Sequence, residues 1–277
     1  MNNNFGTLYL VSTPIGNLSD MTFRAIEALK QCDIIAAEDT RRTGILLKNF
    51  DIKTKLISYH EHSDLKKRTA ILNYLKTGLN VALCSDAGMP LINDPGQDLV
   101  SGAIDLGINI VPIPGANAAT LALIASGLCS GEFTYFGFFK RKSSEIKCTI
   151  EALKCLNHTA IFYESPLRIV KTIEILKSNF PDRNACVARE LTKLHEEFIR
   201  GTLKEIHEKI NTRDLKGEIV LLIEGAKTKA PVVDEKEIML ELKRLIDCGQ
   251  SKKDAVLAVS LKYSLNKNKV YNIMKEV

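Results

Sequence analysis

The sequence predicts an α/β protein of two αβα domains followed by a small helical tail. Three observations carry this. Short apolar runs alternate with segments of helical period. The alternation pauses between Gly127 and Glu132 and then restarts. A polar stretch with a proline, Gly225 to Val233, separates the second round from three short amphipathic segments. A βαβα rhythm builds a parallel sheet buried by helices on both faces.

The elements follow in order. Thr7–Val11 reads as the first strand, and Met21–Lys30 as a helix capped by Ser19 or Asp20. Strands at Asp33–Ala37, Lys55–Ser58, Asn80–Cys84 and Asn109–Pro112 complete the first round, with helical stretches between them. After the pause, Thr134–Gly137 is a strand, Ser143–Leu156 a helix and Thr159–Tyr163 a strand. Pro166 takes the first turn of a helix that runs to about Phe180. Ala185–Ala188 and Glu218–Ile223 are further strands. A boundary within 113–131 divides the body into residues 1–115 and 116–225. The tail, 234–277, places Ile238, Leu242 and Leu245 on one face, with Val270, Ile273, Met274 and Val277 at helical spacing. Ser251 and Asp254 form a capping box. Three short helices of this kind resemble a helix-turn-helix unit.

Composition narrows the classes. The 277 residues are 45% hydrophobic and 26% charged, which excludes a disordered chain and a coiled-coil rod. The polar start, Met1-Asn-Asn-Asn4, predicts no secretory signal, and no apolar run approaches the ~20 residues of a membrane span. The seven cysteines form no C-x-x-C pair and read as reduced, buried and small in a cytoplasmic protein. His60 and His62 lack helical zinc spacing and no H-E-x-x-H occurs, so no metal is expected.

Three glycine-containing loops follow strands of the first round: Ser12-Thr-Pro-Ile-Gly-Asn17, Ser85-Asp-Ala-Gly-Met-Pro90 continuing to Gly96, and Pro112-Ile-Pro-Gly-Ala-Asn-Ala118. Open α/β sheets bind ligands outside the carboxyl ends of their strands, and small residues let backbone approach a ligand. Any one loop is an ordinary turn as readily as a site; three on one edge favour a ligand. No G-x-G-x-x-G follows the first strand and no G-x-x-x-x-G-K-[ST] occurs, which disfavours a dinucleotide and nucleotide hydrolysis. Phe162-Tyr-Glu-Ser-Pro166, Ala188-Arg-Glu-Leu-Thr-Lys193 and Gly217-Glu218 also sit at strand ends. Glu164 there is equally a helix cap, and Arg189, Glu190 and Lys193 equally a structural ion-pair cluster.

These strings, with Ala36-Ala-Glu-Asp-Thr-Arg41 and Lys216-Gly-Glu218, resemble in their order the ribosomal RNA small subunit methyltransferase I family of the tetrapyrrole methylases, across essentially the whole chain. The resemblance implies two αβα domains with S-adenosylmethionine in the cleft between them, and a homodimer. It implies 2'-O-methylation of the cytidine at position 1402 of 16S rRNA in the small ribosomal subunit. Carried over by motif, the cofactor meets Pro14, Asp86, Ala87, Gly88, Met89, Ile92, Gly115, Asn117 and Ala118 from the first domain. Tyr163, Glu164, Leu191 and Glu218 close over it from the second. Two departures stand out: Met89 replaces a usual threonine, and Ala116 a frequent proline.

Methyl transfer from a sulfonium needs alignment and exclusion of water more than a covalent intermediate. A proton acceptor for the ribose hydroxyl is drawn from Glu38, Asp39, His60, Glu61, Glu164 and Glu190, with Asp39 and Glu61 preferred on the RNA-facing family strings. Arg41, Arg42, His60, Lys140, Arg141, Lys267 and Lys269 are the expected RNA contacts. Lys140-Arg-Lys142 is equally a solvated turn, and Phe138 and Phe139 beside it read as core. The formal net charge is only +5, yet the last thirty residues hold six lysines against Asp254 and Glu276. A near-neutral body with a basic appendage is the result. The rival expectation is a precorrin or uroporphyrinogen methylase, which shares the cleft but needs no such appendage.

Overall fold

The structure is a computed structural model that describes residues 4–60, 65–226, 235–247, 250–263 and 267–274. Its contacts divide the chain into two compact units, Met1–Gly225 and Ala226–Val277.

The first unit contains two five-stranded sheets. In the first sheet, β1 (Thr7–Val11), β2 (Ile34–Ala37), β3 (Lys55–Ser58), β4 (Val81–Cys84) and β5 (Asn109–Ile113) run parallel in the order β3-β2-β4-β1-β5. Helices α1 (Phe23–Gln31), α2 (Thr40–Asn49), α3 (Leu65–Lys76) and α4 (Gln97–Asp105) connect them. Alternate residues face opposite ways. Val11, Ile35 and Ala82 pack with Ala25, Leu29 and Leu47 on one side. Leu8, Ile34, Val81 and Leu83 pack with Ile71, Leu75 and Leu99 on the other. Both faces are therefore dry, and the polar loops are left at the strand ends.

The second sheet holds β6 (Phe133–Phe138), β7 (Thr159–Glu164), β8 (Asn184–Arg189), β9 (Glu197–Thr202) and β10 (Ile219–Ile223) in the order β6-β7-β10-β8-β9. Helices α5 (Ala118–Ser126), α6 (Ser143–Cys155), α7 (Ile169–Asn179) and α8 (Leu203–Ile210) accompany it. Only β6 and β7 are parallel; β10 pairs antiparallel with both β7 and β8, and β8 with β9. The strand β9 departs from the sequence expectation, because Glu197–Thr202 has too few apolar residues to read as a strand. It is an edge strand, tied to β8 through main-chain pairing. Ala119, Ala122 and Leu123 of α5 pack on Ile161, Cys186, Val220 and Leu222, and Ile15 from the loop after β1 joins them.

Several local expectations shift. Thr22, not Ser19 or Asp20, caps α1, accepting from the Ala25 N–H at 3.1 Å; Ser19 and Asp20 lie in a short 3-10 turn. Pro166 is not in the first turn of α7, which begins at Ile169; the Arg168 and Ile169 N–H groups both close on the Ser165 carbonyl at 3.0 Å. Cys129, Cys148 and Cys155 are exposed rather than buried. Burial pushes the Cys32 and Cys84 thiols up to about 12.

The second unit is α9 (Glu235–Asp247), α10 (Lys252–Lys262) and α11 (Lys267–Met274) around Ile238, Leu242, Ala255, Val259, Val270 and Ile273. Ser251 caps α10: the Asp254 N–H donates to its Oγ at 3.2 Å, and its hydroxyl donates back to the Asp254 carboxylate at 2.6 Å. The expected linker lies, from residue 227 on, outside the described residues, as does Val277. Among the described residues no helix is long and apolar enough to cross a membrane.

Candidate active-site cleft

Loops from the carboxyl edge of the first sheet meet loops of the second sheet around a cleft of about 330 Å³. The size suits a small organic ligand.

The floor is built by the loops after β1 and β4. Thr13 and Gly88 exchange both main-chain hydrogen bonds, at 2.9 and 3.0 Å. The Ser85 hydroxyl donates to the Gly88 carbonyl at 3.0 Å, and the Thr13 hydroxyl to the Ser85 carbonyl at 3.2 Å. Gly88 has φ +83, a left-handed conformation. Its N–H and C=O are thus spent on loop shape rather than offered to a ligand. Beyond it, Leu91 and Asn93 both hold positive φ, of 70 and 66. Such backbone is uncommon in residues with side chains and persists only where the surroundings over-determine it.

Asp86 is not among the residues that line the cleft. Its carboxylate accepts from the Asp39 N–H at 2.9 Å and lies 3.4 Å from Arg42. Asp39 in turn caps α2, accepting from the Arg41 N–H at 2.9 Å and from the Arg41 guanidinium at 2.8 and 3.1 Å. Those bonds hold the Asp39 carboxyl well below the usual carboxylate range, so it is a weak proton acceptor.

Asp94 lines the cleft, together with Glu164 and Glu218. Burial, reinforced by Glu38 and Asp86 and opposed by a hydrogen bond from Ser85, pushes Asp94 up to about 6. Beside it the Tyr135 hydroxyl donates to the Asn93 amide oxygen. The rings of Tyr135 and Tyr163 meet edge to face at 5.1 Å. Burial first raises both phenols, which stay protonated.

The second sheet supplies the other wall. Glu190, at φ +53, accepts from Lys193 Nζ at 2.8 Å and from the Glu218 N–H at 3.1 Å. Lys193 also bonds Glu218 at 3.2 Å. Glu190 therefore pins the turn before β10, and Lys193 holds its carboxyl below the usual value.

Of the residues expected at the cofactor, Ala87, Gly88, Met89, Ile92, Asn117, Ala118, Tyr163, Glu164, Leu191 and Glu218 line the cleft; Pro14, Asp86 and Gly115 do not. Gly115 packs against Ser12 instead, where a Cβ would come within 2.6 Å of that side chain. The Glu164 carboxylate is buried away from the opening. It accepts from the Ser165 N–H at 2.8 Å and Thr172 Oγ1 at 2.7 Å, with Arg168 at 3.3 Å, which removes it as a base. Glu61 lies outside the described residues, and His60 follows β3 half-buried. Arg41 and Arg42 are exposed. Lys140 and Arg141 are exposed beyond β6, and Lys267 on α11; the Lys269 side chain lies outside the described residues. Phe139 is core as expected, but Phe138 is half-exposed at the cleft.

Sequence reasoning passed over Ile15, Asn93 and Asp94, and read the cleft residue Phe138 as core. Asn93 and Asp94 stand inside the Pro90–Gly96 string, the signal that marked the loop without marking its acid.

Residues 7–207 match the family model for Tetrapyrrole (Corrin/Porphyrin) Methylases, and the two sheets with their cleft define the chain as one of this class. Two curated relatives are named ribosomal RNA small subunit methyltransferase I. The protein from Bacillus subtilis is 45% identical, over 96% of this chain and 93% of its own. The one from Halalkalibacterium halodurans is 46% identical, over 97% and 94%. The chain belongs to the ribosomal RNA small subunit methyltransferase I family within the tetrapyrrole methylases. Solved structures share the fold. A diphthine synthase superposes with a TM-score of 0.64 at 17% identity, covering 80% of this chain and 91% of that one. A Thermus thermophilus uroporphyrin-III C-methyl transferase complexed with S-adenyl homocysteine superposes with 0.55 at 15%, covering 79% and 97%.

Proposed function

We propose that this chain transfers a methyl group from S-adenosylmethionine to the 2'-oxygen of the cytidine at position 1402 of 16S rRNA, acting on the small ribosomal subunit. Identity of 45% along 96% of the chain to a relative named for that subunit's RNA carries the reading. The cleft's chemistry supports the cofactor. Ile15, Met89, Ile92, Leu191 and Val220 are apolar, Asp94 and Glu218 are acids, and no lysine or arginine lies among the lining residues. A lining without cations suits a sulfonium and disfavours a polyphosphate.

When bound, S-adenosylmethionine supplies a methyl group already activated on sulfur. The apolar walls exclude water from it. Asp94 accepts the proton of the ribose 2'-hydroxyl as the oxygen takes the methyl, a contribution of roughly 10²–10⁴-fold for a placed base. Asp39, held by Arg41, orients the loop toward RNA rather than taking the proton. Arg41, Arg42, His60, Lys140, Arg141, Lys267 and Lys269 contact the RNA, and the enzyme works as a cytoplasmic homodimer.

The test offers labelled S-adenosylmethionine in parallel to small subunits from a strain lacking this gene and to uroporphyrinogen and precorrin substrates. Label on the ribose of that cytidine is expected. Label on a uroporphyrinogen or precorrin instead would establish the rival reading.

A further inference from the structure

A second cavity, of about 190 Å³, opens beyond the end of β6. Phe138 borders the cleft, whereas Phe139 and Lys140 border this cavity. Two residues of chain span at most ~7 Å, so the cleft and the cavity are near neighbours. Phe139, Ile146 and Ile175 make its apolar floor, and Lys140, Arg141, Arg168 and Lys171 stand around it.

Three of the four charges are uncompensated. Among the described residues Lys140, Arg141 and Lys171 form no ion pair, while Arg168 lies 3.3 Å from the buried Glu164. Arg168 is also anchored, donating to the Phe139 carbonyl at 2.9 Å. Arg168 is the N-cap of α7 and Lys171 lies in its first turn, where a cation opposes the helix dipole and an anion is favoured. Concavity, four cations and a helix N-terminus together make a place for an anion.

We propose that this cavity holds a backbone phosphate of the RNA strand that flanks the nucleotide in the cleft, with Arg168 and Lys171 completing a phosphate subsite begun by Lys140 and Arg141. The inference rests on the RNA reading above. Arg168 is fixed in place by its two anchors, and Lys140, Arg141 and Lys171 supply charge on long side chains that can reach the strand. A phosphate there positions the strand without reading its sequence.

The test compares the full-length protein with an Arg141→Ala/Lys171→Ala variant. Both side chains are exposed, so the fold is expected to survive, and calorimetry with S-adenosylmethionine checks that the cleft is intact. Binding of a short labelled single-stranded oligoribonucleotide is then followed across a salt series. The variant is expected to bind about tenfold more weakly at low salt. Its log–log salt slope should be shallower by roughly 0.7 for each phosphate that the variant no longer neutralises. Equal affinity and equal slope, or no oligoribonucleotide binding by the wild type, would overturn the proposal. Failure of the wild type to label small-subunit RNA would sink the functional reading separately, because the oligoribonucleotide comparison does not depend on turnover.

Discussion

The main-chain N–H of Asp39 donates to the carboxylate of Asp86 at 2.9 Å, joining the loop after β2 to the loop after β4. An acid expected to hold cofactor is instead a strut between two loops. Asp86→Ala leaves that N–H without its acceptor and frees Arg42. A loss of about 1–3 kcal/mol in stability is expected, with weaker S-adenosylmethionine binding through a displaced Ala87–Met89 segment. Asp86→Asn keeps an acceptor and should recover most of both. Urea midpoints and calorimetry on the two variants check this; equal losses in both would remove the strut.

Arg168 and Glu164 form a partly buried pair at 3.3 Å. Removing the arginine strands a buried carboxyl group that keeps only Ser165 and Thr172, at a cost of about 3 kcal/mol. Arg168→Ala should therefore melt well below the wild type. The Arg168→Ala/Glu164→Gln double variant should regain stability, measured by thermal melts.

Asp94 titrates at about 6 in the folded chain, above its ordinary value of 3.8. A raised acid binds its proton more tightly in the folded state. Its favourable contribution is therefore present at low pH and is lost as pH rises through that window. Asp94→Asn should be more stable than the wild type above pH ~6 and gain nothing at low pH, as read from urea midpoints at both ends. The same variant should lose most methyl transfer while retaining the cofactor. The wild-type rate should rise with pH about a midpoint near 6, a limb absent from the variant.

Gly217 has φ +93, and a Cβ there would collide with the Glu190 carboxylate that Lys193 and the Glu218 N–H hold in place. Gly217→Ala is expected to cost about 1–2 kcal/mol for the left-handed backbone alone. It should also weaken cofactor binding by shifting Glu218. Gly107, also at positive φ but with open space around its Cβ position, is the control: Gly107→Ala should carry the backbone cost and leave the cofactor affinity unchanged.

Deleting residues 230–277 removes the three-helix unit with its own apolar core. Affinity for small subunits should fall and the salt dependence flatten, with S-adenosylmethionine affinity kept. Unchanged subunit binding by the truncated chain would remove the tail from the RNA contacts.

The parallel first sheet was legible because a strand buried on both faces must read as an unbroken apolar run, as Ile34–Ala37 and Val81–Cys84 do. The loops were legible for a related reason: Gly88 and Gly96 mark places where backbone must turn left-handed. β9 was not, since an edge strand is held by main-chain bonds that leave little trace in side chains. Thr22 displaced Ser19 as the cap because local oxygens compete, and the helix start is settled by which one the packed chain aims at Ala25.

The sequence by itself determined the two-round α/β body, the helical tail, the family and the loops that border the cleft. Those properties depend on local pattern and on the order of short strings. Only the tertiary structure decided that Asp86 is a strut, that Glu164 is buried, that Asp94 is a cleft acid raised by burial and that Arg168 and Lys171 join Lys140 and Arg141. A carboxylate's role follows from its neighbours and its burial. Those neighbours come from segments far apart in the chain: Glu38, Ser85 and Asp86 act on Asp94, and α7 brings its cations to the end of β6.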